Sequence, residues 1–423
     1  MDGHFQLGVH STNAKFQEER TGEEKNDAML AMARLKWRTQ SVFQPRDRII
    51  LDVRDRYDLF GKLDKNIYQL APDNRLALRQ LAFEHPYEYF SFYYSVGRFD
   101  VSEAGILAND GVEVGYRFSD TWRASLFAGV SPADIKSSVQ IQPEENASGP
   151  RTQGGVYAVY EKASLSGFPA YYVSNALSKS VDDGATAAER VFLFHNSVLT
   201  FDEKNRAGFS LDYDIKPEAV LRRWFLSYFH RRESFRAYLT ASRIDVNDYL
   251  LEKEVRETLP ASPFTTYGLR LIASPTKSFH LNLRGSQTTR QADQLKKQEA
   301  SAGPTFLFSR VRLTILGGVR TNYLSKDNFV FSELGYYSNA WNFRLTYTGT
   351  KETYTEEEKV LNVQNVGAYA EIYMSNNLFS SLGYNFIKDE EVQITSGLLT
   401  IGYRFGKKPK APVRDEPTVA WEG

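Results

Sequence analysis

The sequence predicts an all-β fold: a closed transmembrane antiparallel up-and-down β-barrel of about 22 strands with no plug domain. Three observations carry that prediction. Aromatic residues make up 14% of the 423 residues, with 25 Tyr and 28 Phe, yet 25% are charged and mean hydropathy is -0.45. A barrel needs that combination, because it presents an apolar band between aromatic girdles and keeps a polar interior. Apolar residues recur with period two over most of the chain, the strand signature. Tight turns alternate with longer charged connections from one end of the chain to the other.

The strands read clearly in several places. In 207–213, Ala207, Phe209, Leu211 and Tyr213 alternate with Gly208, Ser210 and Asp212. Over 267–274, Tyr267, Leu269, Leu271 and Ala273 oppose Gly268, Arg270 and Ser274, with Ile272 as the exception. Phe279, Leu281 and Leu283 alternate with His280, Asn282 and Arg284, and Trp341, Phe343, Leu345 and Tyr347 with Asn342, Arg344, Thr346 and Thr348. The least regular strands are 49–57 and 76–83, where both faces mix charge with apolar residues. Soluble sandwiches also alternate, so alternation alone does not separate the two architectures.

The connections do. The tight set is 44–47, 85–86, 119–121, 166–167, 202–205, 233–234, 275–278, 309–310, 338–339 and 375–377. Interleaved with it are the longer segments 17–27, 59–73, 100–110, 132–153, 178–187, 247–262, 291–297 and 351–359, with shorter members at 216–218, 324–328 and 388–391. Such sorting matches bacterial outer-membrane barrels, with short periplasmic turns and longer extracellular loops. It yields about 22 strands, 18 or 20 if boundaries shift, and places both termini in the periplasm. The barrel is expected to span 1–405 and a Pro-rich periplasmic tail 406–423.

Composition excludes several alternatives. There is no cysteine, hence no thiolate metal site, disulfide or cysteine-linked haem. The six histidines form no ligand pattern, and no metal or cofactor is expected. Lys+Arg and Asp+Glu balance at 52 each, which points away from a nucleic-acid partner. No apolar run approaches the ~20 residues of a spanning helix, so a membrane span must be a closed sheet. Met1-Asp2-Gly3-His4 has neither a basic start nor an apolar core, and the chain reads as a mature sequence with a starting Met.

The segment Gly397-Leu398-Leu399-Thr400-Ile401-Gly402-Tyr403-Arg404-Phe405 resembles the C-terminal β-signal of Gram-negative outer-membrane barrels, with Tyr403 and Phe405 as its aromatic pair. It departs from that pattern in that 18 residues follow Phe405. Val96-Gly97-Arg98-Phe99 followed by Asn109-Asp110-Gly111-Val112-Glu113-Val114-Gly115-Tyr116-Arg117 resembles a hairpin of large porin-like barrels, in which Arg98 and Asp110 pair near the loop base. The resemblance implies a location in the bacterial outer membrane, contact with lipid and lipopolysaccharide, and insertion by the barrel-assembly machinery.

If the apolar faces meet lipid, the opposite faces place Arg117, Arg123, Arg236, Arg270, Arg284, Arg312, Arg320, Arg344 and Arg404 on the lumen wall, with Glu113, Asp212 and Asp214. Arg34, Lys36, Arg38, Asp52, Arg54 and Arg56 join them. Guanidinium stays charged and binds carboxylate and phosphate, so an Arg-rich wall favours anions; paired charges on a wet wall are the plainer reading. A barrel of this width needs a filling, and segments 132–153 and 247–262, the latter with a short helix at 249–255, are the expected inward-folding loops. In the tail, Lys407, Lys408, Lys410 and Trp421 are candidates for binding a periplasmic partner.

No enzyme is expected. His195-Asn196-Ser197 has the His–Ser spacing of outer-membrane phospholipase A, but the following Asn205 falls in a periplasmic turn. The leading expectation is passive passage of small solutes or ions, with an anion bias. The alternative is a barrel scaffold or conduit in a multiprotein envelope complex, exporting polymer or sheathing a lumen-filling partner such as a cytochrome.

Overall fold

Short polar turns set the strand ends, because one side chain in each substitutes for a ladder partner. Ser119 Oγ accepts the N–H groups of Thr121 and Trp122, the Asp202 carboxylate those of Lys204 and Asn205, Ser338 Oγ that of Trp341, and Ser375 Oγ those of Asn377 and Leu378. These are the Asx and Ser turns for which Asp and Ser are suited. The Asn205 side chain and the Lys204 N–H hold the exposed Asp202 carboxyl below its ordinary range.

The computed structural model describes residues 2–18, 22–40, 43, 46–58, 75–131, 151–162, 170–182, 189–216, 218–245, 263–323, 325–354, 359–375 and 377–405. Among them are 22 strands: β1 (Asp2–Glu18), β2 (Gly22–Gln40), β3 (Arg48–Asp58), β4 (Arg75–His85), β5 (Phe92–Val101), β6 (Ile106–Arg117), β7 (Trp122–Ser131), β8 (Arg151–Lys162), β9 (Ala170–Asp182), β10 (Glu189–Thr200) and β11 (Asn205–Lys216). They continue through β12 (Val220–Arg232), β13 (Phe235–Ile244), β14 (Phe264–Thr276), β15 (Phe279–Arg290), β16 (Lys296–Phe308), β17 (Val311–Thr321), β18 (Ser325–Tyr337), β19 (Trp341–Tyr354), β20 (Val360–Tyr373), β21 (Leu378–Lys388) and β22 (Val392–Phe405). Neighbours pair antiparallel in chain order, and β1 pairs with β22 from Gly3↔Phe405 to Phe16↔Val392, which closes the barrel. Closure removes the free sheet edges that hydrocarbon would not tolerate. The expected 22-strand all-β barrel is therefore the fold, with both ends of the strand sequence at the short-turn end.

Register gives each strand two unlike faces. One carries exposed apolar residues such as Leu7, Leu126, Val156, Leu193, Leu239 and Leu269. The other carries the arginines and carboxylates, and Ile272, the sequence exception, is buried on that polar face opposite Arg236 and Asn282. Aromatic pairs gather at the short-turn end: Tyr116–Phe118, Trp122–Tyr160, Phe279–Phe306 and Tyr336–Trp341, with ring centroids 4.5 to 5.3 Å apart.

Several expected boundaries change: the loops expected at 178–187, 324–328 and 351–359 give up 178–182 to β9, 325–328 to β18 and 351–354 to β19, because cross-strand pairing continues through them. The loop expected at 17–27 is largely strand, because β1 and β2 stay paired out to Glu18↔Gly22. The tight turn expected at 85–86 runs from Pro86 to Ser91, because His85 stacks on Phe90 and Tyr94 and draws the chain back over the barrel end. Charges on the irregular strands β3 and β4 meet polar-face partners: Arg34 with Asp52 at 2.7 Å and Arg48 with Glu84 at 2.8 Å. Segments 59–73, 247–262 and the tail with Lys407, Lys408, Lys410 and Trp421 lie outside the described residues, as does all of 132–153 except the start of β8.

Candidate functional site

Strands β7, β8 and β10 carry aromatic residues on the otherwise polar face as well as apolar ones outside, as in Leu126-Phe127, Val156-Tyr157 and Leu193-Phe194. A strand of that kind is normally covered on both sides, and here the cover is the β5–β6 hairpin. Pairing of β4 with β5 runs only from Leu81↔Arg98 to His85↔Tyr94, and pairing of β6 with β7 stops at Asp110↔Val130. Residues 99–109 thus leave both neighbours and fold onto the polar-face side of β8, β9 and β10. A single 3-10 turn, Ser102–Ala104, forms the tip. Phe99, Val101 and Ala104 are buried against Phe127, Tyr157, Val159, Ala176, Phe192 and Phe194. Burying side chains such as Phe99 and Val101 contributes about 1.5–3 kcal/mol each.

Two glycines permit the fold-back. Gly97 has φ +115°, and a Cβ there would lie 2.2 Å from the Leu81 carbonyl oxygen. Gly105 has φ +70°, and a Cβ would meet the Phe194 ring at 2.7 Å. Gly97→Ala should cost about 1–3 kcal/mol from backbone strain alone, read as a lower denaturant midpoint and as faster proteolysis within 99–109. Unchanged values for both would exclude Gly97 as the hinge.

Polar contacts fasten the hairpin. Arg123 Nη2 donates to Glu103 Oε1 at 3.0 Å, with its guanidinium 3.9 Å above the Tyr87 ring. Ser174 Oγ donates to the Glu103 carbonyl at 2.7 Å, and Gln153 Nε2 to the Ala108 carbonyl at 2.7 Å and Asn109 Oδ1 at 3.0 Å. Beneath lies buried Glu113, which accepts from Tyr157 and from Ser125 Oγ. The inward segment is therefore 99–109, most of which lies in the segment 100–110 that the sequence reads as an ordinary outer loop. The signal for it is the aromatic residues Phe127, Tyr157, Phe192 and Phe194 on the otherwise polar face of β7, β8 and β10.

A second cluster sits on β10 to β12. Asp214 accepts from the Nε of Arg190 and, at 2.7 Å, from the Nε of Arg222; Asp212 takes Arg190 Nη2 at 2.8 Å. Both predicted acids are thus engaged by arginines that sequence reasoning had not singled out.

From β13 to β22 the polar face is rich in arginine. Arg270 and Arg284 stand directly opposite each other in the β14–β15 register, and Arg270 lies 5.7 Å from the Tyr238 ring centroid. Arg312 approaches Glu333 at 3.6 Å, Arg320 pairs with Asp327 at 2.9 Å, and Arg404 lies 3.9 Å from Glu371 and over Phe379. Arg344 lies over Tyr369. Arg236 pairs with Ile272 in register, and Arg117 faces Arg123 near the short-turn end. Among the described residues Arg270, Arg284 and Arg344 have no ion pair, whereas Arg123, Arg312 and Arg404 each have one and Arg320 has two, to Asp327 and to Glu352.

Two polar groups lie on the apolar face. Arg98 and Asp110 form a two-pronged pair at the base of the hairpin, as its sequence implies, and Arg98 also donates to the Leu78 carbonyl. His195 sits between Asn175 Oδ1 at 2.8 Å and Ser197 Oγ at 3.0 Å, while Asn205 instead serves Asp202, Tyr228 and His230. The cluster borders a groove of about 960 Å³ lined by Val114, Leu126, Val156, Leu177 and Leu193. Ser197 shares a register row with Val173 and Phe209 in mid-strand, away from the water that hydrolysis requires. Mutual hydrogen bonding is what such a polar trio needs among apolar neighbours. Among the described residues no group of three His, Asp or Glu is placed to hold a metal.

No protein-family model matches the chain, and no curated protein does. It is a large 22-strand barrel that matches several Gram-negative outer-membrane porin structures. One is a BenF-like porin from Pseudomonas fluorescens Pf-5, at 11% identity over 96% of this chain and 98% of that chain, TM-score 0.48. Pseudomonas aeruginosa OpdQ is 9% identical over 96% and 97% of the two chains, TM-score 0.47. Pseudomonas aeruginosa OccK2 (OpdF), in a structure with glucuronate, is 10% identical over 96% of each, TM-score 0.47. A closed antiparallel barrel with an apolar outer band is the architecture of outer-membrane proteins, and it implies contact with membrane lipid and insertion by the usual assembly route.

Proposed function

We propose that the chain is an outer-membrane channel for small solutes or ions whose polar face lines the lumen and biases it toward anions. The observation that carries this reading is the uncompensated charge of Arg270, Arg284 and Arg344, set against acids such as Asp212 and Asp214 that are already held by Arg190 and Arg222. Fixed guanidinium charge on a wet wall raises the local concentration of anions and repels cations. Arg117, Arg236, Arg312 and Arg404 extend the same face, and the docked hairpin occupies the polar-face side of β8, β9 and β10. The channel is a passive conduit, not an enzyme.

In this reading the short-turn end, where β1 begins and β22 ends, is periplasmic. The aromatic pair Tyr403 and Phe405 on the closing strand serves as the assembly signal. Lys407, Lys408, Lys410 and Trp421 of the tail beyond it are the candidates for binding a periplasmic partner.

Zero-current potentials across a potassium chloride gradient test the bias. The purified barrel should favour chloride, and the combined Arg270→Gln, Arg284→Gln and Arg344→Gln variant should lower the chloride-to-potassium permeability ratio severalfold. A cation-selective wild type would refute the bias. A correctly inserted barrel that passes no current would favour the scaffold or sheath role instead.

A further inference from the structure

Arg270 and Arg284 are an unusual pair. They are direct cross-strand neighbours, a position that brings Cβ atoms to about 4.5–5.5 Å and makes like charges repel. Among the described residues neither guanidinium makes a hydrogen bond or an ion pair, and both Nε atoms are buried without a partner. Arg236 and Arg312 add positive charge to the same place, and both also act on nearby His280. The acids in reach are Glu299 and Glu333. Glu333 is drawn to Arg312, and Glu299 stands in register with Ser286 and Arg320. Among the described residues neither acid forms an ion pair with Arg270 or Arg284, so the two guanidiniums share one carboxylate at a distance, Glu299, and keep unused donors at one spot on the wall.

We propose that Arg270 and Arg284 form a discrete binding site for a tetrahedral dianion: inorganic phosphate, or the phosphate group of a small solute. The proposal rests on the anion-channel reading and narrows it to a substrate class. A carboxylate presents two oxygens in one plane and is satisfied by one guanidinium fork. A phosphate presents oxygens in several directions, so two forks on adjacent strands can each take a pair, and its charge near -2 answers two guanidiniums. The Tyr238 ring beside Arg270 supports one fork from the side, which leaves its outer edge to the ligand.

Equilibrium dialysis of radiolabelled inorganic phosphate against the intact barrel in maltoside detergent tests the site. Saturable binding of one phosphate per chain is expected, displaced by sulfate and by glycerol phosphate but not by acetate. The double variant Arg270→Gln, Arg284→Gln should bind more than about tenfold more weakly, since each lost charge-assisted bond contributes about 1.5–3 kcal/mol. Arg344→Gln should bind as the wild type does. Arg270→Lys keeps the charge but loses the fork, so it should weaken phosphate binding while leaving the zero-current potential unmoved; heat-modifiable gel migration verifies folding of every variant. Displacement by inorganic phosphate but not glycerol phosphate assigns the site to free phosphate, and displacement by both to phosphate groups in general. Non-saturable binding, equal displacement by acetate, or undiminished binding in the double variant would overturn the site. A chloride-selective channel with no phosphate binding defeats this site alone, whereas phosphate binding without chloride selectivity defeats the anion-channel reading.

Discussion

Glu103→Ala should destabilise the docked hairpin by about 3–5 kcal/mol, the cost of stranding one member of a buried ion pair. Arg123 is the member left behind. Its side chain is 5% exposed, Glu103 is the carboxylate within reach, and its Nη1 already lacks a hydrogen-bond partner. Stacking on Tyr87 offsets part of the loss, since a desolvated cation–π contact contributes about 2 kcal/mol. Glu103→Gln keeps an acceptor and should fall between wild type and alanine. The Glu103→Leu, Arg123→Leu double variant should recover much of the loss, because removing both charges removes the desolvation penalty. Denaturant unfolding followed by tryptophan fluorescence reads these changes. In planar bilayers the alanine variant should also show noisier conductance as residues 99–109 come away from β8, β9 and β10. If Glu103→Ala unfolds at the wild-type midpoint with quiet current, the ion pair is not what holds the hairpin.

Asp214→Ala should cost a similar ~3–5 kcal/mol, for a different reason. Its side chain is 1% exposed and serves two arginines at once, Arg190 and Arg222, which are themselves 10% and 11% exposed. Removing it leaves Arg190 with Asp212 and Arg222 with Asp245 at 3.7 Å. Asp212→Ala should cost clearly less, since Asp212 is more exposed and Arg190 keeps Asp214. Equal midpoint shifts for the two substitutions would show that the cluster behaves as a diffuse charge field. A larger loss for Asp214 identifies it as the bridge.

Much of the barrel was legible because its causes are local. Period-two alternation in stretches such as 279–284 and 341–348 puts apolar and polar residues on opposite faces without help from distant contacts. Ser119, Asp202, Ser338 and Ser375 mark turns because each bonds the backbone two or three residues on. The β3 and β4 strands were harder to read. Their charges are matched by Arg34 and by cross-strand neighbours, and Ile50 and Ala82 are buried on the side where charge was expected. The trio around His195 shows the same limit. Its spacing to Ser197 is readable, but its second partner is Asn175 on the preceding strand rather than Asn205.

By itself, the sequence determined an all-β closed barrel, the sorting of short turns to one end, and which face carries the arginines on regular strands such as β14, β15 and β19. All three follow from residue type at fixed short spacing. Tertiary structure alone decided that residues 99–109 leave the wall, because Glu103 meets Arg123 and Ser174, and Gly105 meets Phe194, only once β5 to β10 are side by side. It alone decided which charges are answered. Asp214 gains two arginines from β10 and β12, while Arg270 and Arg284 face each other across β14 and β15 with no acid bound, a matter of register between strands that no single strand contains.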